Sequence, residues 1–396
     1  MRYFVFFLWV SALPLFAKVD SVQVCHSCNV IQRDSELSTL ATKWKSGTLK
    51  VLHLGDSHVQ IGHFSTEIKR LLQVRQFGIQ FPYSLAKSVD GRIFKSKASG
   101  RWEGMSILQP STGWNIGLAG YAVSTRDSAA QIQFILKDSL ATLNRIRIWA
   151  TADSCSMEPT LGSSFKLSRR VKNGKFTCWD FESADELRQF SLSLQKSVAS
   201  QDVFTLHGIE ILSDQKGIEY HDLGVAGAQF THLKSRANLV LNQVEILKPD
   251  LLICSFGTNE AYNANWNSES YRQALQTFMQ EVKVKSPETV FLITSPPDTR
   301  SQKRLPKYQQ EVVQALAEMP APYYDLNQVM GGFGSSEEWV KNGCFLKDQL
   351  HLTKEGYQLQ AKLFVLALFK SWKDQAAFEN LQNQVNQHTV SIGIPK

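Results

Sequence analysis

The sequence predicts an α/β chain: a three-layer α/β/α domain on a parallel sheet, interrupted by an inserted antiparallel β-sandwich. Two textures predict it. Residues 48–75 and 218–374 alternate short apolar runs with helical patterns, as in "PDLLICSFGTNEA" followed by "SESYRQALQTFMQEVKVK". Such runs suit strands covered by helices on both faces. Residues 82–217 carry short alternating segments such as "AAQIQFILKD" and "RQFSLSLQ", divided by Gly, Ser and aromatic residues. That pattern suits a sandwich. The length of 396 residues, 43% hydrophobic, accommodates both parts.

Each segment follows in order. Met1-Arg2, the apolar run "YFVFFLWVSALPLF" and Ala17-Lys18 read as a signal peptide over residues 1–17. The run is too short to span a bilayer comfortably, which predicts a periplasmic or secreted protein. Leu15, a poor residue three positions before Lys18, leaves an uncleaved anchor open. Residues 18–81 and 218–374 form the discontinuous α/β domain, residues 82–217 the insertion, and residues 375–396 a polar tail. Insertion is tolerated where the ends of an exposed loop lie close together.

Six cysteines follow the signal-like segment. "CHSC" (25–28) stands at a frayed terminus and reads as a local bridge or two thiols, and Cys155–Cys178 is the preferred long-range pair. Cys254, inside "DLLICSFG", reads as a small buried hydrophobe. The net charge of +7 is dispersed, without a block of Lys or Arg, which argues against nucleic acid and for attraction to an anionic polymer or envelope surface.

The stretch "KVLHLGDSHVQIGHFSTEIKRLL" (50–72) joins an apolar strand to a helix through Gly-Asp-Ser-His. Ile61, Phe64, Ile68, Leu71 and Leu72 recur at helical spacing and give that helix one buried stripe. In an open parallel sheet, ligands bind at the carboxyl ends of the strands. Gly55-Asp56-Ser57-His58, Gly224 to Gly227 and Gly257-Thr258-Asn259 stand at three such ends, and Asp348 and His351 share a later loop. Together they can perform acyl transfer. Ser57 needs a base to become a nucleophile, His351 can accept and return its proton, and Asp348 can hold the imidazole tautomer. The backbone N–H groups of Ser57 and Gly227 and the amide of Asn259 can stabilise the oxyanion.

GDSH, the Gly of "GVAG", "GTNE" and DxxH occur in the order of the four blocks of the SGNH/GDSL hydrolases, which the chain resembles. The resemblance implies a flavodoxin-like sheet, Ser57 as nucleophile, Gly227 and Asn259 in the oxyanion hole, and Asp348 and His351 completing the triad. It covers the α/β portion only. His58 departs from the usual Leu of GDSL, and the first two blocks are unusually far apart. GDSH with the β-rich insertion looks like the periplasmic peptidoglycan O-acetylesterases, in which a carbohydrate-binding-like sandwich interrupts the SGNH domain. The implied reaction is hydrolysis of O-acetyl esters on muramic acid.

Other residues have plainer readings. His53, His58 and His63 do not converge as metal ligands, and no cofactor or metal is expected. Asp56 holds the turn by hydrogen-bonding nearby amides, and Glu260 with Asp56 is a weak candidate for a two-carboxylate glycosidase. His221 and Asp222 point to opposite faces of a strand. Trp102, Trp114 and Tyr121 belong to the sandwich core more readily than to a sugar platform, and "SPPD" (295–298) borders the pocket or simply turns. The expected partner is an acetylated glycan, without nucleic acid or stable membrane insertion. A polysaccharide O-acetyltransferase, an acetylxylan-type glycan esterase and a non-catalytic glycan-binding envelope protein remain the rival readings.

Overall fold

The structure, a computed structural model, describes residues 22–74, 76–88, 93–110, 115–137, 142–151, 155–212 and 217–391. The expected signal peptide and Trp114 lie outside them. A six-stranded sheet has the order Glu219–Gly224, Lys50–Gly55, Leu251–Ser255, Val290–Thr294, Tyr323–Tyr324 and Ile31–Gln32. The first five strands are parallel and the last is antiparallel. Counted along the chain, the parallel strands run 2-1-3-4-5, the flavodoxin-like order whose crevice opens at the carboxyl ends of strands 1 and 3. Those strands end at Gly55 and Ser255.

Alternate residues of each strand serve different layers. Val51, Leu251, Ile253 and Leu292 pack with Phe64, Ile68 and Phe364, from helices His63–Leu71 and Lys354–Ser371. Leu52, Leu54, Leu252 and Ile293 pack with Leu275, Phe278 and Val312, from helices Ser268–Lys285 and Gln309–Ala317. Burial of each such side chain contributes about 1.5–3 kcal/mol, more than the β-propensity of a short strand. The two-sided apolar pattern therefore fixes the three layers.

Antiparallel strands run from Ile79 to Ile211. A four-stranded sheet has the order Pro159–Leu161, Gln189–Gln195, Ala129–Leu136, Phe94–Ser99. A larger sheet contains Phe165–Asn173, Phe176–Leu187, Leu143–Thr151, Phe204–Ile211, Tyr121–Thr125 and Glu103–Ser106. A ring contact joins them: Phe165 of the larger sheet lies 6.2 Å, centroid to centroid, from Phe190 of the smaller, which within its own sheet stacks on Phe134 at 4.9 Å. Tyr121 is buried against Phe81 and Tyr83, and half-buried Trp102 packs on the same cluster, so neither forms an open sugar platform.

Three expectations need correction. The helix expected after Ser57 is two helices, Ser57–Gln60 and His63–Leu71, because Gly62 takes a left-handed φ of 81° between them. The Cys155–Cys178 bridge is not formed: Cys178 faces the sandwich core opposite Trp149, whereas Cys155 lies at the surface. The bridge joins Cys25 to Cys28, and their segment is not frayed. Val22–Val24 pairs in parallel with Thr389–Ser391. The polar tail is likewise structured, since Gln375–Asn386 is a helix that buries Leu381 and Val385.

Candidate active site

Ser57 owes its position to two contacts that admit no side chain. A Cβ on Gly55 would lie 2.4 Å from Val59 Cγ2 and 2.7 Å from the Ser255 carbonyl oxygen. A Cβ on Gly224 would lie 2.3 Å from the Gln60 nitrogen and 2.6 Å from the Asp56 oxygen. The strand can therefore turn at once into a helix that sits on the neighbouring strand end. Asp56 caps that helix and accepts the His58 N–H at 2.9 Å, the turn-holding part expected of it. Burial pushes its carboxyl up to about 6. Ser57 occupies the first helical position, where a backbone N–H has no intrahelical partner.

His351 comes from the other end of the chain. Its loop is closed by the Phe345–Leu352 bridge and a 2.8 Å bond from Leu346 N–H to the His351 carbonyl. Gln349 adopts a φ of 54°, which folds the loop so that Asp348 Oδ1 accepts the N–H groups of Leu350 and His351, both at 3.0 Å. Asp348 Oδ2 lies 2.7 Å from His351 Nδ1, and His351 Nε2 lies 2.9 Å from Ser57 Oγ. A carboxylate can only accept, so Nδ1 carries the proton and Nε2 presents its lone pair to the serine hydroxyl. Partial burial pushes the Asp348 carboxyl up, but the bonds from His351 and the loop amides hold it below the ordinary carboxylate range.

Backbone accounting identifies the free donor in the Gly224 loop. Val225 N–H donates to Gly55 O, Ala226 to Gln60 Oε1, Ala228 to Val225 O, Gln229 to His232 Nδ1 and Phe230 to Glu260 Oε1. Among the described residues only Gly227, at a φ of 82°, has no acceptor in this run. Asn259 Nδ2 donates one hydrogen to Ala228 O at 2.9 Å, which leaves its second N–H available beside the same loop.

Gly227 and Asn259 line an open cleft of about 480 Å³ with Gln229, His232, Tyr262, Asn263, Ala264 and Arg304. The insertion reaches this region: exposed Leu108 lies 3.6 Å from where a Gly227 Cβ would be, and Arg236 donates to Gln109 O. Behind the serine, a small cavity of about 30 Å³ is lined by Asp56, His58, Ser295, Pro296, Pro297 and Tyr357, among others. His58 is not part of the proton path. Its Nδ1 bonds Tyr357 Oη at 2.8 Å, its ring stands 5.4 Å from that of His351, and burial pushes its pKa down to about 3.

The family model for GDSL-like lipases and acylhydrolases matches residues 207–359, which hold Gly227, Asn259, Asp348 and His351. The chain carries a GDSL-like lipase/acylhydrolase domain over those residues. No curated protein matches it. Among solved structures, a peptidoglycan O-acetylesterase is 20% identical with a TM-score of 0.65, over 89% of this chain and 97% of its own. A lipase/acylhydrolase from Enterococcus faecalis is 24% identical with a TM-score of 0.30, over 38% of this chain and 74% of its own. A GDSL-like lipase from Bacteroides thetaiotaomicron is 22% identical with a TM-score of 0.31, over 38% of this chain and 76% of its own. The first likeness establishes a shared fold along nearly both chains; the others add nothing to it.

Sequence reasoning missed two bracing residues of this site. Gln60 accepts Ala226 N–H through its oxygen and donates through its nitrogen to Tyr121 Oη at 3.1 Å and Ser88 Oγ at 3.0 Å. It thus ties the serine helix to both the Gly227 loop and the insertion. Glu260 is buried and accepts Phe230 N–H at 2.7 Å and Gly257 N–H at 3.0 Å. It pins the Gly227 loop to the helix that carries Asn259, and burial pushes its pKa up to about 8. A glycosidase role does not suit it. A carboxylate following Asn259 in an apolar context was the signal; Gln60 had none. His53, between Tyr220 Oη and Ser255 Oγ, and His221, which accepts Ile79 N–H, are packing residues.

Among the described residues, Glu210, Glu219 and His221 alone bring three possible metal-ligand atoms together. Because His221 Nδ1 accepts a backbone N–H, its Nε2 carries the proton in the neutral ring and offers no lone pair to a cation.

Proposed function

We propose that the chain is an exported serine esterase that removes O-acetyl groups from a cell-envelope glycan, with peptidoglycan the preferred substrate. The hydrogen-bonded series Asp348–His351–Ser57 carries the reading, with Gly227 and Asn259 as open donors on segments that Gln60 and Glu260 tie to the serine helix and to each other. Ser57 Oγ attacks the acetyl carbonyl while His351 Nε2 takes its proton. The tetrahedral oxyanion is held by the N–H groups of Ser57 and Gly227 and by the Asn259 amide. His351 then protonates the departing sugar oxygen, leaving acetyl-Ser57. A water molecule, deprotonated by His351, attacks that ester and releases acetate.

Two observations support the substrate class. The peptidoglycan O-acetylesterase has the same fold, insertion included. The cleft is open and polar, as a polymer substrate requires. No helix among the described residues is long and apolar enough to cross a membrane. The Cys25–Cys28 bridge and the signal-like start support export. In this reading the insertion, residues 82–217, acts as a carbohydrate-binding-like module.

The test is acetate release from O-acetylated peptidoglycan, beside acetylxylan and 4-nitrophenyl acetate. Ser57→Ala is expected to abolish release while keeping the wild-type melting profile. Undiminished turnover by purified Ser57→Ala overturns the mechanism, and faster release from acetylxylan overturns the substrate. Transfer of acetyl to an added glycan acceptor instead of water identifies a transferase.

A further inference from the structure

Residues 299–308 form a wall that joins the two halves of the site, and its Arg304 enters the lining of the cleft. At one end, Arg300 N–H donates to Gln349 O at 2.9 Å and Gln302 N–H to Asp348 O at 3.2 Å. At the other, the N–H groups of Lys307 and Tyr308 donate to Ala261 O at 2.9 and 3.0 Å. The wall thus spans from the Asp348–His351 loop to the helix that carries Asn259. Between its ends, the Tyr262 hydroxyl accepts Ser301 N–H at 2.9 Å, and the Arg304 guanidinium lies over the Tyr262 ring, 5.1 Å from its centroid.

The charge of this wall is one-sided. Arg300 is paired with Glu337, but among the described residues Lys303, Arg304 and Lys307 have no carboxylate partner. The cleft lining holds no carboxylate, and Arg304 is its one permanently charged side chain. The remaining polar groups are the amides of Gln229, Asn259 and Asn263, the His232 ring and the Tyr262 hydroxyl, each with a hydrogen-bond partner in the protein. Asn263 Nδ2 donates to Gln229 Oε1 at 3.1 Å, and Gln229 Nε2 donates to Asn259 O at 3.2 Å. A guanidinium presents a fork of donors that fits a carboxylate in bidentate fashion. Stacking on an aromatic face restricts its motion before the ligand arrives.

We propose that Arg304, seated on Tyr262, is a carboxylate-binding subsite, so that the enzyme selects acetyl esters on an acidic glycan over those on a neutral one. The inference rests on the glycan-esterase reading and names the substrate class for it. The carboxylate belongs either to the sugar itself, as in the lactyl ether of muramic acid, or to a peptide attached there. Lys303 and Lys307 extend the positive field along the wall and favour encounter with a polyanion.

The experiment compares wild type, Arg304→Ala and Arg304→Lys on four substrates. These are O-acetylated peptidoglycan with intact peptides, the same strands freed of peptide by an amidase, the freed strands with carboxylates amidated, and 4-nitrophenyl acetate. For Arg304→Ala, the ratio of kcat/KM on a carboxylate-bearing strand to that on the aryl ester is expected to fall about tenfold, through KM. Arg304→Lys keeps part of it. Amidation lowers wild-type kcat/KM to the Arg304→Ala level and leaves Arg304→Ala little changed. The strand on which the drop is larger identifies the source of the carboxylate. An unaltered ratio for Arg304→Ala on both strands overturns the subsite while the esterase reading stands, as does equal sensitivity of both proteins to amidation where the drop is larger on the freed strand. Wild type that releases acetate from the aryl ester alone overturns both.

Discussion

At the residue scale, the site contains groups that would react and groups that hold them in place. Asp348 bonds His351 but remains half open to solvent, with a side chain 47% exposed. Water can partly replace it, so Asp348→Asn is expected to lose roughly 10²-fold in kcat, less than the ~10⁴-fold typical of a buried triad carboxylate. Steady-state kinetics on 4-nitrophenyl acetate measures the loss. Glu260 is a bracing group. Its two oxygens each receive a backbone N–H, one from the Gly227 loop and one from the turn before Asn259. In Glu260→Gln one of those donors faces an amide NH₂, which costs about 1–3 kcal/mol when buried. The expected result is a lower melting temperature and a reduced kcat with KM nearly unchanged. Unaltered kcat would show that the loop keeps its shape without this brace.

At the scale of elements, the short helix Ser57–Gln60 is held by close approach rather than by length. Four residues cannot sustain a helix alone; the ends of Lys50–Gly55 and Glu219–Gly224 seat it. Gly224→Ala forces a methyl group against the Gln60 nitrogen and the Asp56 oxygen, both backbone atoms with no room to yield. Overpacking of this kind costs about 1–3 kcal/mol or more. The variant is expected to melt at lower temperature and to lose most of its esterase activity, because the displaced atoms carry Ser57. Native-like activity in Gly224→Ala, read beside its melting curve, would refute this account of the turn.

At the scale of the whole molecule, buried titratable groups set a pH optimum of stability. Burial pushes His53 down to about 4, and His58 and His207 down to about 3, from 6.5. The unfolded chain binds more protons in that range, so their contribution is complete above 6.5 and is lost as pH falls towards 3. Glu260 and Asp56 act in the opposite sense. Burial raises them from 4.5 to about 8 and from 3.8 to about 6, so stability is lost as pH rises through those windows. The melting temperature is therefore expected to peak between about pH 6 and 7. His207→Gln, which keeps a partner for Thr151 Oγ1, should flatten the acid limb alone. Glu260→Gln should flatten the alkaline limb alone. Melting curves of the three proteins between pH 4 and 9 decide it, and a wild-type profile flat across that range would remove the basis of the prediction.

The sequence by itself determined the layers and the chemical types at the strand ends. Two-sided apolar strands, one-sided helices and Gly-rich turns leave local signals, because burial repeats with the period of the backbone. Ser57, Gly227, Asn259, Asp348 and His351 were legible for the same reason: each stands at a turn between regular elements. Only the tertiary structure decided how Gln60 and Glu260 brace the loops, that Cys178 faces the core, that Val22–Val24 meets Thr389–Ser391, and that Arg304 stands alone over Tyr262. These depend on contacts between segments far apart in the chain. The partner of a buried amide, a carboxylate or a lone guanidinium is set by three-dimensional packing and leaves no period in the order of residues.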